Sequence, residues 1–252
     1  MKSQALSSQD NPQQIIASSQ INPFISGALP ELSNLKHTLR RVCQRNNCAP
    51  PNPPSLFNFE IPEKYTLIKN GRRFLQYDSG SSDDRILIFF TKENLELMIK
   101  CNNWFVDGTF KSSPILFTQI YTIHVLTAHL LTSTVYALLP NKSQNTYVSL
   151  LNQLKKIKPT LLPKSIMSDF EMGSINAFKE VFPNLKQKGC HFHFSQYIWR
   201  KILQIEYMAR KYISDFTFSL QVRLLLALAY VPENHVIDVF EELIDSQYYT
   251  DN

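Results

Sequence analysis

The reading of this chain turns on one stretch, Cys101–His124, CNNWFVDGTFKSSPILFTQIYTIH. Trp104, Phe105 and Val106 read as a buried β-strand, because aromatic and β-branched residues suit a pleated, half-buried surface. Asp107 interrupts that run. A carboxylate at such a place is either a turn residue or a ligand for something positive. A second acid, Asp169, repeats the pattern in SIMSDFE (165–171). The sequence therefore poses one question: do these two acids share a site?

The elements around them give an answer. Before the quoted stretch, Asn70-Gly71 in YTLIKNGRRFLQYDSG (65–80) lies between apolar runs and predicts a type I′ hairpin. RILIFF (85–90) is a strand, and TKENLELMIK (91–100) a helix that Thr91 caps and Glu93 favours through the dipole. WFVDGTF, FTQIYTIHV (117–125) and STVYALL (133–139) follow as strands. NTYVSLLNQLKKI (145–157) is a helix with Tyr147, Leu150, Leu151 and Leu154 on one stripe. SIMSDF is a short strand. MGSINAFKEVF (172–182) is a helix with Ile175, Phe178 and Phe182 on one side, and QKGCHFHF (187–194) a last strand. Everything after Ser195 reads as helix, with Val236, Val239, Phe240 and Leu243 on one stripe.

Three sequential strands joined by short turns are antiparallel, and helical crossovers then add parallel strands. The order strand, strand, strand, helix, strand, helix, strand predicts an α/β domain with an RNase H-like core, a mixed sheet with flanking helices, followed by a mostly helical insertion. In that arrangement the strands bearing Asp107 and Asp169 are neighbours and the carboxylates converge. Two such acids repel unless a cation lies between them. Oxygen-only ligands suit Mg²⁺ or Mn²⁺ rather than zinc.

Composition sets the outer bounds. The chain has 252 residues, 44% of them hydrophobic, enough for a sizeable core, and a net charge of +5, which fits an anionic partner. Between Pro114 and Pro140 there is no Lys, Arg, Asp or Glu. That length can span a bilayer, but the threonines and histidines scattered among β-branched residues favour two buried strands. Cys43 and Cys48 have the look of half a zinc site without a second pair. Free thiols in a reducing compartment are the preferred reading of the four cysteines. Residues 1–30 are Ser- and Gln-rich and predict a disordered tail. LSNLKHTLRRVCQR (32–45) predicts a basic helix and NNCAPPNPPS (46–55) a linker. The expected organisation is thus 1–30 tail, 31–100 N-terminal region, 101–195 core and 196–252 helical insertion.

Four strings occur in order and at matching intervals: DGTFKSSPILFTQIYTIH (107–124), VYALLPNKSQNTY (135–147), SDFEMGSINAFKEVFP (168–183) and GCHFHFSQ (189–196). Together they closely resemble the Mutator-like element (MULE) transposase domain, and the likeness runs from about Asn52 to Asp245. The resemblance implies a DDE-type DNA transposase. Its first two acids fall on Asp107 and Asp169, its cation is Mg²⁺ or Mn²⁺, and its partners are transposon ends and target DNA, with self-association left open. It also carries a cysteine and a histidine, here Cys190 and His193, in a motif beside the active site. A structural role for the pair is preferred to a metal site.

The third acid of the family, a glutamate beyond the insertion, has no counterpart here in its usual surroundings. Glu233, Glu241 and Glu242 lie in the part resembling the insertion and are not assigned that role. Glu171 starts a helix and is read as favouring its dipole. The resemblance therefore implies metal-dependent DNA strand cleavage and transfer, incomplete in this chain, in the nucleus. The alternatives are a non-catalytic DNA- or protein-binding remnant and a nuclease that lacks strand transfer.

Overall fold

The computed structural model describes residues 3, 12–19, 31–46, 53–128 and 130–251. It divides into two compact units, Met1–Asn52 and Pro53–Asn252. In the first, helices α1 (Pro12–Ser18) and α2 (Leu32–Asn46) bury Ile15 and Leu39 in one small cluster. Helix α2 is the expected basic helix. Helix α1 lies inside the stretch expected as a disordered tail. The rest of that tail, Ser3 aside, lies outside the described residues, as do the first part of the proline linker, Cys48 and the side chain of Cys43.

The second unit is a mixed α/β structure built on one seven-stranded sheet. Its strands are β1 (Leu75–Asp78), β2 (Leu87–Phe89), β3 (Asn103–Thr109), β4 (Gln119–Thr127), β5 (Leu130–Leu139), β6 (Ser165–Ser168) and β7 (Lys186–Gly189). The order across the sheet is β1-β2-β5-β4-β3-β6-β7. Pairings from β1 through β2, β5 and β4 to β3 are antiparallel, and β3–β6 and β6–β7 are parallel. The helices between them are α3 (Lys92–Lys100), α4 (Gln144–Ile157) and α5 (Met172–Val181).

Sequence explains these elements locally. Thr91 caps α3 by accepting from the Asn94 N–H, as expected, and Ser143 does the same for α4 through Thr146. The predicted α4 stripe, Tyr147, Leu150, Leu151 and Leu154, is buried to the last residue. It packs with Trp104 and Val106 of β3, Tyr121, Ile123 and Val125 of β4, and Ala177 and Phe178 of α5 in the main core. That cluster covers one face of β3, since alternate residues of a strand point to opposite faces. Asp107, out of phase with Trp104 and Val106, faces the other way. Within the uncharged run from Ile115 to Leu139, Gln119–Thr127 and Leu130–Leu139 form the antiparallel pair β4–β5. Among the described residues no single helix is long and apolar enough to cross a membrane.

Three expectations need correction. Asn70-Gly71 does not form a type I′ turn. Only Gly71 has a positive φ, +78°, and its N–H donates to the Ile68 carbonyl at 2.8 Å. A turn through Lys69-Asn70 followed by a left-handed glycine bulge closes instead, leaving a single bridge, Leu67–Arg73. The last strand stops at Gly189, so His191–Phe194 is not strand. Helix α6 (His191–Gln204) starts there, five residues before the core was expected to give way to helix. In α5 the buried face is Ser174, Ala177, Phe178 and Val181, with Ile175 only half-buried.

Beyond α6 come α7 (Glu206–Ser214), α8 (Phe216–Ala227), α9 (Val236–Ile244) and α10 (Gln247–Asp251). Neither α7 nor α9 buries a residue, and α8 buries only Ser219 and Val222.

Candidate functional site

Strand β3 lies inside the sheet with β4 on one side and β6 on the other. The β3–β6 register pairs Asn103 with Ser165, Trp104 with Ile166 and Phe105 with Met167, an offset of 62 residues. The same offset separates Asp107 from Asp169, which lie just past the paired residues, and the charge of Asp107 acts on Asp169. Asp107 is part of β3. Asp169 is the first residue beyond β6, where the chain turns into α5.

The two acids differ in their surroundings. The Asp107 side chain is 45% exposed, and His193 Nε2 lies 3.6 Å from its Oδ1. Asp169 accepts the Glu171 backbone N–H at 3.2 Å. Burial holds its carboxyl above the ordinary value, and the negative charges of Glu171 and Asp107 add to that shift, against the Glu171 N–H and His193. Burial is the largest cause of the shift, and the smaller part that comes from the charges of Glu171 and Asp107 is the part a cation would offset.

His193 reaches Asp107 because of the way α6 begins. Cys190 occupies the N-cap position, and its backbone N–H donates to the Ser168 carbonyl at 2.8 Å. This bond ties the start of α6 to the end of β6 and sets His193 in the first turn, beside the acids. His193 Nδ1 is buried with no partner among the described residues.

Glu171 stands at the start of α5, as expected, in the N-cap position where its charge suits the dipole, and its side chain makes no cap bond. One carboxylate oxygen accepts from the Tyr147 hydroxyl and the other lies 3.1 Å from Lys142 Nζ. Lys142 in turn lies 3.7 Å from the centre of the Phe110 ring. Tyr147 accepts from Gln119 Nε2 at 2.5 Å. Gln119 is fully buried, and its amide fills the space where a Cβ of Gly108 would stand. Sequence reasoning missed this network. The signals were a glutamine in phase with the buried side of β4 and a glycine directly after Asp107.

Among the described residues no group of three or more His, Cys, Asp or Glu side chains is arranged to hold a metal ion. Glu233, Glu241 and Glu242 are exposed on the late helical segments. A groove with a cavity volume of about 810 Å³ runs between the β6–β7 side of the sheet and the later helices, lined by Met167, Phe170, Phe194, Leu228 and Phe240 among others. Neither acid lines it.

Several basic side chains are engaged locally. Lys158 pairs with Glu96 at 2.8 Å, Lys155 donates to the Val181 carbonyl and Arg210 pairs with Glu206. Lys186 and Lys188 are exposed on β7, at the end of the sheet.

Residues 103–197 match the family model of the MULE transposase domain. The matched segment begins with β3 and ends in α6, and it contains Asp107, Asp169, Glu171, Cys190 and His193. It is narrower than the likeness read from the sequence between about Asn52 and Asp245. No curated protein matches the chain. The match suggests a transposase-related function.

Proposed function

We propose that the segment matching the MULE transposase domain is an RNase H-like catalytic core for metal-dependent DNA strand cleavage and transfer, acting on transposon ends and target DNA in the nucleus. The strand order supports the fold reading. Three antiparallel strands, β3–β5, are extended on the far side of β3 by two parallel ones, each added through a helix. The observation that supports the functional reading is the parallel β3–β6 pairing, whose 62-residue offset is the one that separates Asp107 from Asp169, both inside the matched segment.

Two carboxylates on adjacent strands, one held above its ordinary pKa by burial and neighbouring negative charge, fit Mg²⁺ or Mn²⁺. Such ions bind through one or two carboxylates and keep several waters. When bound, a cation of this kind supplies Lewis-acid polarisation of a phosphodiester oxygen and lowers the pKa of the attacking water or 3′-hydroxyl. The protein's own part is placement. Strand β3 fixes Asp107, the Glu171 N–H fixes Asp169, and His193 lies against Asp107 from α6. Cys190 contributes through its backbone, by anchoring α6 to β6. Exposed lysines such as Lys186 and Lys188 suit phosphate contacts, which weaken steeply with salt.

With two acids only, the site should hold the cation weakly and cleave slowly, because each 1.36 kcal/mol added to the barrier slows the step about tenfold. The test uses purified residues 1–252. Mn²⁺ binding is followed by electron paramagnetic resonance and DNA nicking by gel, beside Asp107→Asn and Asp169→Asn. The expected result is measurable Mn²⁺ binding that both substitutions remove, with salt-sensitive DNA binding retained. Mn²⁺ binding untouched by either substitution would overturn the shared site. DNA binding with no Mn²⁺ binding at all would favour a non-catalytic DNA-binding domain instead.

A further inference from the structure

The two acids sit on different segments, yet one buried side chain reaches toward both. The Tyr147 ring is 1% exposed and packs 5.0 Å from Tyr121, which fixes its direction. Its hydroxyl donates to Glu171, whose own N–H holds Asp169. A phenol has one proton to give. Since that proton goes to Glu171, Gln119 must present its amide N–H₂ to the phenol oxygen. Gln119 Oε1 is therefore left facing Gly108, the residue after Asp107, with no partner among the described residues. The cost of this orphaned acceptor is borne at the point where β3 carries the first acid. From outside, Lys142 closes the chain on the second oxygen of Glu171.

We infer that Tyr147 is a positioning residue for both acids, a strut whose hydroxyl holds the Asp169 segment through Glu171 and the β3 backbone beside Asp107 through Gln119. The inference rests on the proposed shared cation site. It assigns Glu171 and Lys142 to the strut and not to the cation. The strut converts the fixed ring of a core residue into a fixed relation between two carboxylates that no hydrogen bond joins directly. Groups that orient ligands in this way are felt in metal affinity even though they never touch the ion.

The experiment compares Tyr147→Phe with Thr134→Val. Both remove one buried hydroxyl and keep the shape of the side chain. The Thr134 hydroxyl donates to the Ile123 carbonyl at 2.9 Å, between β5 and β4, and belongs to neither acid's support. Mn²⁺ affinity is read by electron paramagnetic resonance on folded protein, with urea midpoints measured in parallel. Tyr147→Phe should weaken Mn²⁺ binding by about tenfold or more, and Thr134→Val should leave it unchanged while lowering the midpoint. Equal Mn²⁺ affinity in the two variants would overturn the inference.

Should Tyr147→Phe fail to fold, Lys142→Met decides. Lys142 is 43% exposed and its loss leaves the core intact. A weaker Mn²⁺ affinity in that variant supports the strut, and an unchanged one sinks it. Asp107→Asn and Asp169→Asn run alongside. If they too leave Mn²⁺ binding unchanged, the shared site itself has failed. If they abolish it while Tyr147→Phe does not, only the strut has.

Discussion

The sheet and the helices that follow it obey the same sequence rules with opposite results. Helix α4 and helix α9 both carry an apolar stripe at helical spacing. The α4 stripe is entirely buried against β3, β4 and α5, while α9 buries no residue. Large apolar side chains stand in solvent across the later helices. Ile213 is 85% exposed, Phe216 74% and Ile237 70%. An amphipathic pattern thus specifies that a helix forms and which face is apolar, but not that the face is covered. Most helical stability comes from tertiary packing of that face. The acids are set by the first region, and the later helices hold neither of them.

The sharpest way to break this comparison is to hollow out both regions. Leu151→Ala, deep in the α4 stripe, should cost about 2–5 kcal/mol in urea or thermal unfolding. Loss of under about 1 kcal/mol would mean that α4 is not the packed helix described.

The next largest effect belongs to the sheet's outer edge. Arg85 is nearly buried, forks onto Asp78 at 2.9 and 2.6 Å and donates to the Leu56 and Phe59 carbonyls. Asp78→Ala strands that guanidinium and should cost about 3 kcal/mol, the low end for a buried pair because Asp78 is partly exposed. The Asp78 carboxyl resists ionisation through burial, but the hydrogen bonds from Arg85 and the Gly80 N–H outweigh this and lower its pKa below 3.8. The sign follows from linkage. A depressed acid binds its proton less readily in the native state, so its stabilisation is complete above the unfolded value and disappears as pH falls through the lower native one. Unfolding midpoints measured from pH 5 downward should therefore converge for wild type and Asp78→Ala. A constant gap would sink the ion-pair account.

A smaller effect is expected at Gly173, where a Cβ would stand 2.5 Å from the Lys142 carbonyl oxygen. Gly173→Ala should destabilise by about 1–3 kcal/mol through overpacking, and should loosen the loop that carries Lys142. An unchanged melting temperature would show that this approach relaxes freely.

Least of all is expected outside the sheet. Ile213→Ser should shift stability by no more than about 0.5 kcal/mol. Amides of α7 and α9 should also exchange with solvent well before those of β3–β5, as segments with few buried contacts do. Slow exchange in α9 to match α4 would erase the distinction between the two regions.

Much of the sheet was legible because its signals are local. Alternation marks β3 to β5, and Thr91 and the α4 stripe mark helices without outside help. The expectation that Asp107 and Asp169 share a site came only through topology, since nothing near either residue names the other. What stayed hidden depends on long-range contact. Gln119, Tyr147 and Glu171 are separated by 28 and 24 residues along the chain, yet share one run of hydrogen bonds. The first turn of α6 was misread for another reason. His191, Phe192, His193 and Phe194 alternate in polarity and mimic a strand, whereas in space they open a helix that the Cys190 N–H ties to the end of β6. At Asn70-Gly71 the place of the turn was legible but its central pair and type were not, because the turn runs through Lys69-Asn70 and needs a positive φ only at Gly71.

The offset of 62 residues between the acids is a property of pairing and not of length. Extra residues in the loops 110–118 or 158–164 would change the count between Asp107 and Asp169 and leave both in place. One residue inserted within β3 between Trp104 and Asp107 would do the reverse. It would barely alter the spacing, yet turn the first carboxylate to the opposite face of the sheet, into the apolar core. For anyone comparing or redesigning such chains, the distance between the acids is free to drift by tens of residues, while the parity of each strand tolerates no drift at all.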